Sequence, residues 1–313
     1  MAALVLFALA SSVEWLFVAR ALQGIATGLA LSAAGAALLD LHPNSDGEAV
    51  GFHNGVASAV GGGVGVLIPA AIFQLLPAPR VLPYVAAFAL FALAFAGTLM
   101  MAEPRPSQRR SQAGARCPGG STKVRPAFLL ASLGAVSSWS IAGISLALGP
   151  ELLGGLFHTS NAVIACLGIF AFDMTAAVSQ VVFRHKAPWV SATVGSLILA
   201  LGLLGTVLAV ATESGATYVL ATVIVGAGFG AAFLGGLRAL SAAIPPNRRG
   251  SVMSAFYLVA YSSLSIPAIL AGTLTTPIGL NATFEILGAT LAVVALVVAA
   301  LAWRIRPLRP IAL

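Results

Sequence analysis

Charge is what this sequence has least of. Nine acidic and sixteen basic residues occur in 313 positions, 8% of the chain, where a soluble domain carries roughly a quarter. So few charges cannot cover a surface that faces water, which excludes a soluble globule. Cysteine is nearly absent too: Cys117 and Cys166 stand far apart, leaving no disulfide framework and no metal-ligand spacing. HExxH, GxSxG and paired-aspartate patterns are missing, and neither glycine cluster ends in Gly-Lys-Ser/Thr. Metalloprotease, serine-hydrolase and P-loop chemistry therefore lack their residues, and no cofactor or metal is called for. The opening MAALVLFALASS has no basic segment ahead of its apolar run, so it does not read as a secretory leader.

Apolar runs make up the rest. Hydrophobic residues reach 59% and mean hydropathy is +1.00. A bilayer crossing takes about 20 mostly apolar residues. Full spans are expected near 15–39, 50–76, 81–102, 126–149, 160–183, 188–211, 216–243, 251–275 and 281–303. These runs are too long and too continuously apolar for tilted strands of ~10 alternating residues. The expected fold is an all-α, polytopic membrane protein with about nine full transmembrane helices and one partial one. The partial one is residues 1–12, which at ~1.5 Å per residue fall well short of a ~30 Å hydrocarbon core. It is either a re-entrant piece or, the reading favoured here, the second half of a helix whose beginning is missing.

The net charge of +7 and pI near 10.3 would suit nucleic-acid binding in a soluble protein. Here the bases lie between apolar runs rather than along one face, so topology accounts for them and no nucleic-acid partner is expected. Arg105, Arg109, Arg110, Arg116, Lys123 and Arg125 crowd one gap; Arg184 and Lys186, Arg248 and Arg249, and Arg304, Arg306 and Arg309 fall in alternate gaps after it. Opposite gaps hold Glu151, His158 and Glu213, with Arg80 their only base. Thirteen of sixteen bases thus share one side, which the positive-inside rule makes cytoplasmic, together with the C-terminus. A multi-pass protein of the plasma membrane is expected.

Three segments follow: a helical bundle over 1–102, a Ser/Gly/Pro/Arg-rich linker loop over 103–125, and a six-helix bundle with a short tail over 126–313. The two bundles echo each other. Pro43–Gly47 (PNSDG) precedes IPAAI around Pro69, and Pro246–Gly250 (PNRRG) precedes IPAIL around Pro267. Ahead of each lies a glycine pair spaced by four, Gly24 with Gly28 and Gly226 with Gly230. A parallel repeat of this order is what two bundles of one transporter would leave. The pairs, with Gly61 and Gly65 of GGGVG, are expected to let helices approach closely. Pro69 and Pro267 are expected to act as hinges that free backbone carbonyls.

Few polar residues interrupt the spans. Arg20 lies a few residues inside its run, with Gln23 and Gly24 one turn on. It either faces protein or water, as a costly intramembrane arginine should, or snorkels to the headgroups. Asp173, in IFAFDMTAAVSQ, falls near the middle of span 160–183, where desolvation penalises its charged form. It is either a protonatable carboxyl in the transport path or a packing residue bonded to Thr175 or a neighbouring helix. Glu285, one turn inside the last span, is either a coupling carboxylate or an interfacial one.

The segment LFVARALQGIATG, with Leu16, Arg20, Gln23, Gly24 and Gly28, resembles the fourth-helix motif of the major facilitator superfamily. That resemblance implies a two-bundle helical fold covering essentially the whole chain, lacking helices one and two and part of helix three. It implies secondary active transport of a small organic solute by alternating access, with protons as a coupling partner, Arg20 facing the central cavity, and drug or metabolite efflux among the activities. It also implies a monomer embedded in lipid and no enzymatic reaction. A non-transporting scaffold or sensor on the same fold is the alternative. The chain departs from the family at FRHKAPW, residues 183–189, which keeps the bases of the loop motif without its glycine and aspartate. It departs again before Pro69, where Ile68 stands in place of the glycine of the antiporter signature.

The charge pattern makes a prediction that needs no substrate. In a Cys117→Ser background, Ser111→Cys and Leu308→Cys should both resist impermeant thiol reagents in intact cells and react after permeabilisation. Labelling of both from outside would invert the topology, and labelling of one alone would break the count of spans.

Overall fold

The computed structural model describes residues 1–41, 47–79, 81–100, 124–244 and 249–304. Among them the chain forms α-helices and no strand: α1 (Ala2–Leu9), α2 (Val13–Leu41), α3 (Gly47–Leu75), α4 (Leu82–Leu99), α5 (Val124–Leu156), α6 (Ala162–Phe183), α7 (Pro188–Ala211), α8 (Gly215–Ala243), α9 (Arg249–Ile278) and α10 (Leu280–Arg304). Helices close every backbone hydrogen bond within one segment, which lipid cannot do for them. Helices α2 to α10 fall on the nine expected spans, and α1 is the short piece at the start. Among the described residues, eight helices are long and apolar enough to cross a membrane. Glu14, Arg20 and Gln23 interrupt the first half of the 29-residue α2. The linker 103–125 as far as Lys123, most of the turns Pro43–Gly47 and Pro246–Gly250, Arg80, Cys117 and the tail arginines Arg306 and Arg309 lie outside the described residues.

Two boundaries run past their sequence expectation. Helix α5 continues through Pro150 to Leu156, and α9 continues through Pro277 to Ile278. In water a proline near a helix end reads as a stop. In a membrane bundle, neighbouring helices and local adjustments tolerate the missing donor.

Packing divides the chain into two compact units, Met1–Asn54 with Leu67–Ser111, and Gly55–Val66 with Gln112–Leu313. A division at residue 102 leaves 55–66 with the first half; packing groups the middle of α3 with the second. In the first unit α1 packs on α2 and α4. The Phe7 ring stacks on Tyr84 at 5.6 Å between centroids and 5° between planes.

In the second unit, α8 is the central helix, and glycine makes it so. A Cβ on Gly226 would strike the Phe172 carbonyl, and one on Gly230 would come within 3.0 Å of the Ala176 carbonyl carbon; both partners belong to α6. On its other side, a Cβ on Gly228 would lie 2.8 Å from Leu199 Cβ of α7, and Gly235 would meet Pro188 and Ala192. Helix α7 answers with Gly195 and Gly202, set against Ala231, Ala232 and Val225 of α8. Small residues at these spacings bring backbones together without help from a hydrophobic effect, which lipid does not supply. Two polar contacts add to the α6–α8 seam: Ser179 Oγ donates to Ala227 O at 2.6 Å, and Arg238 Nη1 donates to Arg184 O and Lys186 O at 2.8 Å. Arg238 thereby places a positive charge at the carbonyl end of α6, where the helix dipole favours it.

Helices of this unit alternate in direction. At one end, Trp189 at the start of α7 meets Trp303 at the end of α10 at 5.8 Å, and Arg238 reaches the α6–α7 turn. At the other, Phe157 covers Gly215, and Tyr218 meets Phe284 at 5.7 Å. Two turns at this second end close in the same way. Thr159 N bonds Gly154 O and His158 N bonds Gly155 O; Ser214 N bonds Ala209 O and Glu213 N bonds Val210 O. Both are Schellman closures, with His158 (φ 50°) and Glu213 (φ 52°) left-handed where glycine is usual. Asn161 then caps α6, its Oδ1 accepting from Val163 N at 2.9 Å and Ile164 N at 3.2 Å.

If glycine contacts hold this unit together, their side-chain-free faces are testable. Gly195→Leu puts new carbon against the Ala231–Ala232 backbone, with 2.7 Å to Ala231 C already at Cβ, and should destabilise by about 3 kcal/mol or more. Gly272→Leu, whose Cβ meets nothing within 4 Å, is the control. Thermal unfolding in detergent should fall sharply for the first and hardly at all for the second; equal behaviour would refute the packing account.

Candidate functional site

The chemistry available to this bundle is set by which polar groups survive in the middle of its helices. In the second unit, no lysine or arginine occurs from 126 to 183, from 187 to 237 or from 250 to 303. Asp173 is the acid deepest in its helix. It is the twelfth residue of the 22-residue α6, about 16 Å from the start of the helix.

Asp173 is half-buried and faces the glycine run of α3. A Cβ on Gly62 would lie 2.8 Å from Asp173 Oδ2, and one on Gly63 would lie 3.2 Å from Asp173 Cβ and 2.7 Å from Met174 Cε. The two helices run antiparallel along this seam. Below Gly62, Ala59 packs on Ala176 and Ala177, and below that Gly55 meets the buried Gln180 amide. On α6 the contacts recur at 173, 176, 177 and 180, and on α3 at 55, 59 and 62, the periodicity of one helix face. Among the described residues the carboxyl has no ion pair. Thr175 does not hold it: its hydroxyl donates to Ala171 O at 2.7 Å and Phe172 O at 3.1 Å, inside its own helix.

An aromatic tract starts at the same seam. Phe229 of α8 packs with Val56, Ala59, Ala176 and Ala177 and sits edge-on to Phe172 at 5.1 Å. From it the rings continue to Phe233 at 6.0 Å, then to Trp139 of α5 at 5.6 Å, then to Tyr261 of α9 at 5.0 Å. Four helices thus contribute to one connected surface. Its middle is half-buried, and Tyr261 is 38% exposed. A separate cavity of about 400 Å³, lined by Val124, Arg125, Phe128, Ser251 and Val252 among others, lies at the first turns of α5 and α9 and does not reach Asp173.

The remaining candidates are placed as follows. Arg20 and Gln23 come together: Arg20 Nη1 donates to Gln23 Oε1 at 2.8 Å, and the exposed guanidinium lies 5.5 Å from the Phe7 ring centroid. Their spacing of three on α2 makes this contact. Glu285 is half-buried in the second turn of α10, beside Phe284 and at the end opposite Arg238, so it is not level with Asp173. Gly226 and Gly230 sit in the α6–α8 seam. A Cβ on Gly24, Gly28, Gly61 or Gly65 would meet nothing within 4 Å; in GGGVG it is Gly62 and Gly63 that make the contact. Pro69 and Pro267 lie inside α3 and α9, where neither can donate to the carbonyl four residues back.

Three features escaped the sequence. Gln180 was visible as i+7 from Asp173 on one helical face. Arg238 was visible as a single base one turn before the end of a span. The aromatic tract left no linear signal, because its rings come from four helices.

No curated protein matches the chain. The family model described as Major Facilitator Superfamily matches residues 1–267, from α1 into α9, and so takes in the Arg20–Gln23 pair, the α3–α6 seam and the glycine face of α8. A match that runs through both compact units rests on far more than one helix motif, and the chain belongs to the major facilitator superfamily, a family of secondary transporters.

Proposed function

We propose that the protein moves a small organic solute across the plasma membrane by alternating access, with Asp173 as the carboxyl that takes up and releases the coupling proton. The observation that supports this most is the seam itself. An acid in the middle of a span, without an ion-pair partner among the described residues, sits against a glycine that leaves room for its oxygens and nothing more. A closed seam accommodates the neutral acid at lower cost than the carboxylate, because an unpaired buried charge is expensive. A seam opened to water accommodates the carboxylate. Proton binding and helix separation are then two faces of one equilibrium. On the helices packed against α6, the titratable groups among the described residues are Arg125 and Glu151 on α5 and Tyr218 and Arg238 on α8; the part of α3 in this unit, 55–66, has none. All lie nearer the helix ends than the level of Asp173. Arg20 is proposed as a second charged group of the transport path, steadied by Gln23.

The end-to-end charge difference supports the orientation. Arg125, Arg184, Lys186, Arg238 and Arg304 collect at one end of the second unit and Glu151, His158, Glu213 and Glu285 at the other. The basic end, with the linker and C-terminus, is proposed to be cytoplasmic.

In proteoliposomes screened with a panel of labelled organic solutes, an imposed proton gradient should drive accumulation. Asp173→Asn should lower that accumulation at least ~10-fold, within the usual range of coupling free energies, while leaving exchange of labelled for unlabelled solute largely intact. Undiminished gradient-driven accumulation at equal reconstitution would remove Asp173 from the mechanism. The seam makes its own prediction. Gly62→Ala adds a methyl 2.8 Å from Asp173 Oδ2 and should slow transport about threefold to tenfold by displacing the carboxyl, whereas Gly61→Ala, which meets open space, should transport as wild type. Equal rates for both would dissociate the seam from turnover.

A further inference from the structure

Where α5 and α9 begin, the bundle leaves a space that the transport proposal does not use. We infer that it binds an anionic phospholipid, with the phosphate at Arg125 and an acyl chain against Phe128, Leu129, Val252 and Ala255. The inference depends neither on the solute nor on Asp173.

The two helices form the site by touching along their middles and parting at their starts. They run parallel. Leu264 of α9 lies against the Gly143 backbone of α5, and nearer the starts Phe256 and Ala260 are buried with Ala131 and Ala135. Beyond that contact, between Val124–Leu129 and Ser251–Ala255, the open cavity of about 400 Å³ remains, within the size range of small-molecule sites. Helix α5 has 33 residues and α9 has 30, so they are about 50 and 45 Å long against a ~30 Å hydrocarbon core. Their first turns therefore extend into the headgroup layer, and the turns that follow enter the acyl region. The cavity crosses that boundary.

Charge at its mouth has one sign. Arg125 is the one ionisable group of the lining, and Lys123, Arg248 and Arg249 stand within three positions of lining residues in the sequence. No acidic residue occurs from 104 to 150 or from 214 to 284. Neither helix has an acid in its first turn, the place where the helix dipole favours one. The linker 104–123 and the tail 305–313 do not supply it, since both carry bases and no acidic side chain. The compensating anion comes from outside the chain.

The walls require that anion to carry an apolar part. Phe128, Leu129, Val252 and Ala255 line the cavity without a polar side-chain atom, and a free phosphate would leave them wet. An acyl chain covers them and gains with each methylene buried. A zwitterionic lipid brings its own cation to a basic mouth, which repels it. Basic pockets between membrane helices hold anionic headgroups for these reasons.

Equilibrium binding of fluorescent phosphatidylglycerol to the purified full chain, in a neutral detergent, tests the site. Saturable binding is expected, displaced at least ~10-fold more effectively by unlabelled phosphatidylglycerol than by phosphatidylcholine. Arg125→Gln should weaken it about fivefold, the share of one base near a membrane surface. Ala255→Trp, which fills the cavity, should weaken it about threefold to tenfold by displacing the acyl chain. Arg304→Gln removes a base at the same end but outside the cavity, and should bind as wild type. Arg125 is exposed, so its variant tests the site even if Ala255→Trp fails to fold. Equal displacement by phosphatidylcholine, equal loss in Arg304→Gln and Arg125→Gln, or wild-type affinity in either cavity variant would each overturn the inference. So would displacement by glycerol 1-phosphate at the concentrations at which unlabelled lipid acts, because the anion alone would then be what is recognised.

Discussion

Backbone-to-backbone contact through glycine is the interaction on which the rest of the second unit depends. In lipid no hydrophobic effect draws helices together, since the acyl chains are as apolar as the leucines they touch. What remains is close packing and a few interhelical hydrogen bonds. Helix α8 is built for this on two sides, with Gly226 and Gly230 towards α6 and Gly228 and Gly235 towards α7. Side chains there would hold the helices apart and forfeit both the dispersion contacts and the Ser179–Ala227 bond, which spans the seam at 2.6 Å. Most other hydroxyls bond their own helix one turn back, as Ser137, Thr206 and Thr222 do, and so satisfy themselves without helping assembly.

Asp173 takes its meaning from that construction. Helix α6 is fastened to α8 along one face and presents 173, 176, 177 and 180 to α3 along another. The α6–α8 face is closed by backbone contact, a hydrogen bond and the Arg238 cap. The α3 face has small residues, one amide and one acid. Of the two, the second is the one with a carboxyl as part of the contact.

How much of this was legible beforehand depends on whether the signal is linear. Helix number, the short α1 and the pairing of Arg20 with Gln23 follow from run length and from a spacing of three, both properties of one segment. The choice of Gly62 and Gly63 over Gly61 and Gly65 does not. GGGVG offers small residues on every side of α3, and only the partner helix decides which side is used. The repeat shows the same limit. Gly24 with Gly28 and Gly226 with Gly230 share a spacing, yet among the described residues a Cβ would meet a neighbour's backbone at the second pair alone. Pro150 and Pro277 lie inside α5 and α9, because a bundle supplies other ways to satisfy the freed carbonyls.

Composition and site finally converge on the same physical point. Among the described residues, the second unit keeps its bases at one end and Glu151, Glu213 and Glu285 at the other, and leaves one carboxyl, Asp173, in mid-span, which is costly. That cost is tolerable while the acid is neutral or met by a cation. A glycine seam around it makes the neutral form the easier one to enclose. In the proposed mechanism the proton therefore acts on the one carboxyl that the closing seam encloses, and the described helices of the second unit have no other mid-span charge with which to share the response.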